Sequence, residues 1–388
     1  MPPSEPQPRI WLLLGNKKGD NGQVETIAEA LEKQLGWHCE RKNIQVRQPF
    51  LFGKPKVGPT LYHVDTQQSD PLEAPWPDLI LTVGRSPANV ALWVQQQSGG
   101  QARLVLVGKP SGYMERFALV ITSAETLPAP YPNVLRINLP LMRINQADID
   151  RGGREWAGRM QALPRPLVGI MVGGPTNPFV YDATVARQLV AEAGRVIAQG
   201  GTPWLTTSRR TPDAVTAQLK RQLPPQAQLY DWNDNSADNP YRGLLAHADR
   251  FIVTGDSISM MVEVIHLHKP LQILPLPTGP LGALDQLRRS LARWLYRPPQ
   301  GAGDTGLRIA LARLVYRLHL IRHTRHYPGF HCLLVALDLA GWAGESATPP
   351  APHIPDDMPA VLARIRDVAV QTAAAWKPGL STQAKSVK

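Results

Sequence analysis

The sequence predicts an α/β protein with two parallel-sheet domains in succession and a helical C-terminal extension. Three observations lead to this. Short, fully apolar runs alternate with segments of helical spacing, the pattern of strands covered on both faces by crossover helices. The alternation stops over a polar stretch at 145–166 that holds Gly152-Gly153 and two prolines, and then restarts. At 388 residues the chain also exceeds one ordinary core.

The first strand is Ile10 to Leu14, closed by Gly15, and Val24, Ile27, Ala28, Leu31 and Leu35 keep helical spacing behind it. Leu79 to Val83 is a second buried strand with its helix at Ala88 to Gln97, and Leu104 to Val107 and Leu119 to Thr122 follow. After the polar stretch come strands at Leu167 to Val172, Pro203 to Thr207, Leu229 to Asp231, Phe251 to Thr254 and Leu271 to Leu274. Helices are expected between them at Ala183 to Gln199, Pro212 to Gln222, Pro240 to His247 and Ser259 to His266. The expected boundaries are 1–150, 165–290 and an extension at 301–388.

The formal net charge of +11 favours anionic partners: anionic lipid, phosphorylated substrates or nucleic acid. No basic run interleaves with aromatics as in single-strand binders, so nucleic acid is not expected. Cys39 and Cys332, the only cysteines, form no disulfide framework and sit at no metal-ligand spacing, which fits a reducing compartment. The polar, proline-rich start MPPSEPQPR does not resemble a signal peptide, and no apolar stretch is long enough for a bilayer. A cytoplasmic location is expected.

In open parallel sheets ligands bind at the carboxyl ends of strands. Four such loops stand out. Gly173-Gly174-Pro175-Thr176 would let backbone N–H groups approach an anion, with a helix N-terminus behind them. In Thr206-Thr207-Ser208-Arg209-Arg210-Thr211-Pro212, Ser208 and Thr211 can cap a helix and the arginines suit phosphate. Tight turns and solvated arginines are the plainer explanation of each loop alone; together on one domain they favour a diphosphate.

The third loop, Thr254-Gly255-Asp256-Ser257-Ile258-Ser259, runs into a helix carrying Met260 and Glu263. Ser257 and Ser259 can cap that helix, and Glu263, among apolar neighbours, reads as a half-buried carboxylate able to hold both ribose hydroxyls. A capping box between Ser259 and Glu263 is one residue too long. The fourth loop, Gly15-Asn16-Lys17-Lys18-Gly19-Asp20-Asn21, matches neither the dinucleotide fingerprint nor the P-loop order. Asp20 there reads either as a general base or as a helix N-cap. Asp148-Ile149-Asp150 spells a metal-binding triplet but follows no strand, so no metal and no cofactor are expected.

Taken in order, Gly15-x-Lys17-x-Gly19-Asp20-Asn21-x-Gln23, Gly173-Gly174-Pro175-Thr176, the 206–212 loop, Asp238-Asn239-Pro240-Tyr241 and Thr254-Gly255-Asp256-Ser257-x-Ser259-Met260-x-x-Glu263 resemble the elongated-mitochondria (mitochondrial fission Elm) family and its bacterial relatives, regarded as glycosyltransferases. The match covers roughly residues 9 to 300 and is most specific in the second half. The family in turn resembles the metal-independent GT-B glycosyltransferases, in which two Rossmann-like domains face a cleft. The resemblance implies a nucleotide-diphosphate sugar held by Gly173, Gly174, Pro175, Thr176, Ser208, Arg209, Arg210, Asp256, Ser257, Ser259 and Met260, with Glu263 on the ribose. It also implies an acceptor-side loop of Gly15, Lys17, Gly19, Asn21 and Gln23, with Asp20 as the catalytic base.

The expected activity is sugar transfer to a glycolipid or lipopolysaccharide-core acceptor at the inner face of the cytoplasmic membrane. A nucleotide-sugar 2-epimerase of the same fold and a non-catalytic membrane-remodelling adaptor are the alternatives. Two departures from the family are visible: Leu141-Met142-Arg143 replaces the usual Pro-His-Arg, and 301–388 has no recognised counterpart. Within that tail Leu307, Leu311, Leu314, Leu318 and Ile321 form one stripe, with Arg313 and Arg317 on the opposite side. Docking of this stripe onto the domains is expected in preference to an anionic membrane surface.

Overall fold

A computed structural model describes residues 7–50, 55–56, 58–109, 113–232, 238–279, 282–297, 306–318, 320–321, 323–346, 349 and 353–375. The start through residue 6, Pro350 of the Pro349-Pro350 pair, and 301–305 and 376–388 of the extension lie outside these residues.

The elements of the first half are β1 (Ile10–Leu14), α1 (Lys18–Leu35), β2 (Cys39–Asn43), β3 (Leu79–Val83), α2 (Arg85–Gln97), β4 (Arg103–Val107), β5 (Leu119–Ser123), β6 (Thr126–Pro128) and β7 (Val134–Ile137). Six of the strands form one sheet in the order β2-β1-β3-β4-β5-β7, with every pairing parallel. The chain reverses its direction of travel between β1 and β3, where Leu12 sits opposite Leu81. That is the topological switch point of the sheet.

The second half continues with α3 (Gln146–Met160), β8 (Leu167–Met171), α4 (Ala183–Ala198), β9 (Thr202–Thr206), α5 (Asp213–Gln222), β10 (Gln228–Tyr230), α6 (Tyr241–His247), β11 (Arg250–Thr254), α7 (Ile258–His266) and β12 (Leu271–Leu274). After these come α8 (Gly282–Tyr296), α9 (Gly306–Arg317), β13 (His323–Arg325), α10 (Tyr327–Ala336), β14 (Gly341–Trp342) and α11 (Met358–Ala375). The second sheet runs β10-β9-β8-β11-β12-β14, again parallel throughout. This is the doubly wound Rossmann order, and its switch point lies between β8 and β11.

The apolar strands are buried along their whole length, as in β1, β3 and β8. Among the elements hidden in the sequence, two have a clear physical reason. Strand β2 reads CERKN, with only Cys39 buried, because an edge strand needs no second apolar face. Helix α3 replaces the expected polar linker. Its glycines lower helix propensity but permit a close crossing with α6: a Cβ on Gly152 would stand 2.3 Å from Arg242 Cβ, and one on Gly243 would stand 2.5 Å from Trp156 Cβ.

Residues 301–388 are shared between the two compact units of the chain. Contacts divide the chain into one unit of 1–141, 295–323 and 356–388, and another of 142–294 and 324–355. In the first unit Val361, Leu362, Ile365 and Val368 of α11 join the core formed by β1, β3 and α1. Asp357 secures the entry to that helix, accepting from Asn138 backbone N at 2.7 Å and from Asn138 Nδ2 at 2.9 Å. In the second unit β14 adds the sixth strand beside β12, and Tyr327 of α10 enters the core.

The expected docking of the leucine stripe is overturned. Helix α9 buries Arg308, Ala312 and Tyr316 instead, while Leu307, Leu311, Leu314 and Leu318 are exposed; Ile321 alone of the stripe is buried. Arg308 donates to the carbonyls of Leu295 at 2.6 Å and Arg297 at 3.1 Å, capping the end of α8. Tyr316 meets Tyr131 edge-on, and Arg313 lies over the Tyr131 ring while donating to Pro130 O. These polar anchors set the rotation of the helix, and the leucines follow it outward.

Candidate functional site

In the second unit the loops after β8, β9 and β11 meet at the switch point, and Asp256 joins them. Its residue is 4% exposed. Its carboxylate accepts from Gly174 N at 3.0 Å, Thr254 Oγ1 at 2.9 Å, Ser257 Oγ at 3.2 Å, Arg210 at 3.3 Å and the Tyr181 hydroxyl. Burial and the neighbouring Asp256 charge push the Tyr181 hydroxyl far above the ordinary phenol range, so it stays protonated as a donor. Only glycine fits the β8 turn. A Cβ on Gly173 would meet Ser257 Oγ at 2.2 Å, and one on Gly174 would meet the Arg210 carbonyl at 2.3 Å.

This arrangement corrects several sequence-derived roles. The N–H groups of Gly173 and Gly174, expected to face an anion, donate to Thr254 Oγ1 and Asp256 Oδ2. The two glycines serve close packing of loop on loop. Neither Ser208 nor Thr211 caps α5, whose N-cap is Pro212. The Thr211 hydroxyl donates to Gly173 O at 2.6 Å and accepts from Ser208 N at 2.9 Å, tying the second loop to the first. Ser257 occupies the N-cap position of α7 but its side chain makes no capping hydrogen bond, and its hydroxyl donates to Asp256.

The first turn of α7 therefore has no side-chain cap, and its leading N–H groups retain their anion-binding character. Ser259 is exposed there and Met260 is half-buried. Pro175 is exposed beside the half-buried Thr176, whose hydroxyl accepts from Arg210 at 2.6 Å. Arg210 is thus committed to the loops. Arg209 is exposed and makes no hydrogen bond or ion pair with the described residues.

Glu263 lies one turn into α7, its side chain 15% exposed. Tyr241 donates to Oε2 at 2.5 Å and Arg242 to Oε1 at 3.0 Å, both from the start of α6. Each carboxylate oxygen keeps a further lone pair for a ligand hydroxyl. Desolvation and the Glu263 charge hold the Tyr241 hydroxyl well above its usual pKa. Sequence reading quoted Tyr241 within the Asp-Asn-Pro-Tyr motif without giving it a partner, and it missed Tyr181 and Arg242 altogether. The nearest signal was the demand that a half-buried carboxylate find a donor.

Beneath the β11 loop sits His331 of α10, with its Cε1 3.0 Å from where a Cβ on Gly255 would stand. Burial pushes its imidazole down to about 4, against smaller opposite pulls from the Gly255 backbone and Asp256. The C-terminal tail thus buttresses this loop, a role with no motif to announce it.

In the first unit the β1 and β3 loops also meet at a switch point. Asn21 clamps the first loop, accepting from Gly15 N at 3.0 Å and donating to Gly15 O at 2.7 Å. Lys17 and Gly19 are exposed and Gln23 is half-buried. Helix α1 begins at Lys18 with Lys17 as N-cap, so Asp20 is not the cap. Asp20 is half-buried in the first turn, with Oδ2 3.7 Å from where a Cβ on Gly84 would stand, and makes no hydrogen bond with the described residues. Asp148 and Asp150 open α3, bonded to Arg151 and Gln146 respectively.

Comparison with known proteins adds the following. A family described as Mitochondrial fission ELM1 matches residues 18–295. The chain is similar to the mitochondrial fission protein ELM1 of Arabidopsis thaliana, 27% identical over 220 residues that cover 51% of each chain. It is similar to an uncharacterized protein of Rickettsia prowazekii, 30% identical over 111 residues, covering 28% of this chain and 31% of that one. The chain spans about half the length of the first of these relatives and under a third of the second. Among solved structures it is similar to a glycosyltransferase from Rickettsia africae, with a TM-score of 0.44 at 9% identity over 97% of this chain and 100% of that one. The family match covers most of the chain, including the whole of the second switch-point site, and the chain belongs to the mitochondrial fission ELM1 family.

Proposed function

We propose that the protein is a metal-independent glycosyltransferase of the GT-B class, which takes a sugar from a nucleotide-diphosphate donor and passes it to a glycolipid or lipopolysaccharide-core acceptor at the inner face of the cytoplasmic membrane. The observation that carries the reading is Glu263. Tyr241 and Arg242 orient its carboxylate one turn behind the uncapped N-terminus of α7, at the end of β11 where the sheet order reverses. A nucleoside diphosphate needs that pairing: a carboxylate for the two ribose hydroxyls and a helix N-terminus for phosphate.

In this reading Arg209 and the first turn of α7, with Ser259, take the charge that grows on the leaving diphosphate. The Asp256 assembly holds their loops in place without touching the donor. Asp20 removes the proton of the acceptor hydroxyl as the glycosidic bond forms, and its lack of a hydrogen-bond partner among the described residues suits that role. The test is calorimetric titration of nucleotide sugars into the wild type and Glu263→Gln, followed by turnover with and without a lipid acceptor. Binding lost in the variant and turnover that requires the acceptor are expected. Equal binding by both proteins overturns the donor site, and sugar epimerisation without acceptor overturns the transferase assignment.

A further inference from the structure

Strand β7 carries an arginine that nothing in the first unit answers. Arg136 is half-buried within the run Val134–Ile137 and makes no hydrogen bond, ion pair or ring contact with the described residues. Burial pulls its guanidinium below the ordinary arginine value, with no neighbouring carboxylate to offset the cost. An arginine that merely guarded the sheet edge would keep its head group in water. A guanidinium stays charged at any ordinary pH, so a half-buried one without a partner burdens the empty protein.

The residue beside it is unanswered too. Thr122 of β5 pairs with Arg136 in the parallel register, so both side chains leave the same face of the sheet. Ile121 and Ile137, next to them in sequence, turn the other way into the core with α11. Thr122 is fully buried, and its Oγ1 has no hydrogen-bond partner among the described residues, although buried hydroxyls are ordinarily paired. Both residues lie near the carboxyl ends of their strands, the edge at which open parallel sheets bind ligands. Val107 of β4 pairs with Ile121, which sets Gly108 level with Thr122. A Cβ built on Gly108 would meet no atom of the described residues within 4 Å, so there is room at this edge. A forked guanidinium and a hydroxyl side by side on neighbouring strands suit a tetrahedral oxyanion, and the net charge of +11 favours such ligands.

We propose that Arg136 and Thr122 form a phosphate-binding subsite in the first unit, which takes the phosphate group of a ligand at the carboxyl edge of β5 and β7. The proposal stands independently of sugar transfer, because its readout is phosphate binding alone. The experiment is calorimetric titration and thermal melting of the full chain with inorganic phosphate and with phosphoethanolamine, a phosphomonoester. Whichever binds more tightly identifies the free ion or an esterified phosphate as the source. Arg209→Ala is measured alongside, to remove the phosphate contact proposed beside Glu263. Phosphate is expected to raise the melting temperature of the wild type and of Arg209→Ala but not of Arg136→Met. Without phosphate, Arg136→Met should melt at or above the wild type, because it loses an unpaired charge rather than a contact. Thr122→Val keeps the side-chain shape and should weaken phosphate binding about five- to tenfold at unchanged melting temperature. Absence of a phosphate response in the wild type, a response retained in Arg136→Met, or one lost in Arg209→Ala alone overturns the proposal. If Arg136→Met does not fold, unchanged phosphate affinity in Thr122→Val overturns it instead.

Discussion

Asp256 Oδ2 accepts the backbone N–H of Gly174 at 3.0 Å, joining the loops after β11 and β8 across 82 positions of sequence. A buried carboxylate here does what a ligand would otherwise do. It collects donors from Gly174, Thr254, Ser257, Arg210 and Tyr181 and holds the switch point in one shape.

Replacing Asp256 by Asn keeps the shape but turns an amide NH2 toward some of these donors. Loss of charge-assisted bonds in a buried setting should destabilise the second unit by about 2–4 kcal/mol. Differential scanning calorimetry of the intact chain checks this. An unchanged melting profile would remove Asp256 from the centre of the site.

Tyr241→Phe removes one donor from Glu263 and leaves the carboxylate itself. Nucleotide-sugar affinity should fall by about five- to tenfold, from loss of one hydrogen bond that fixes the carboxylate. Titration calorimetry is the measurement. Greater loss in Tyr241→Phe than in Glu263→Gln would mean that the tyrosine, not the glutamate, meets the ligand.

Arg209 and Arg210 should separate in their effects. Arg209 is exposed and uncommitted, so Arg209→Lys should weaken diphosphate sugars more than the free nucleoside, with stability unchanged. Arg210 bridges Thr176 and Asp256, so Arg210→Ala should lower the melting temperature as well. Thermal shift and binding measured on both variants distinguish these roles.

Asp20→Asn should reduce turnover by about 10²–10⁴-fold while sparing donor affinity, if it acts as the base. Stability should hold, because Lys17 and not Asp20 is the N-cap of α1. Steady-state rates per folded molecule decide the point. Unchanged turnover would send the search for the base elsewhere.

Stability should decline below neutrality through His331. Its ordinary pKa near 6.5 applies in the unfolded chain, while burial holds the folded value at about 4. Between these values the unfolded state binds more protons, so stability present above pH 6.5 is lost progressively down to about pH 4. The full effect is about 3 kcal/mol, on the scale of 1.36 kcal/mol per pKa unit. Melting temperature followed over this range should fall less steeply in His331→Gln than in the wild type.

Much of this fold could be read from the chain. Apolar runs such as Leu79–Val83 and Leu167–Met171 are buried on both faces, and a strand of that kind announces itself by composition alone. The loops that gather at the second switch point were legible for the same reason, since they follow those strands. Glu263 was recognisable as half-buried from its apolar neighbours. What that pattern could not carry was the partner of each polar group. Hydrogen bonds such as Tyr241 to Glu263, Gly174 to Asp256 and Asn138 to Asp357 join positions 22, 82 and 219 apart, and no local periodicity records them. The same holds for α9. Its leucine stripe reads as a buried face, and the helix turns the other way because Arg308 and Tyr316 find carbonyls and a tyrosine ring that only the assembled unit supplies.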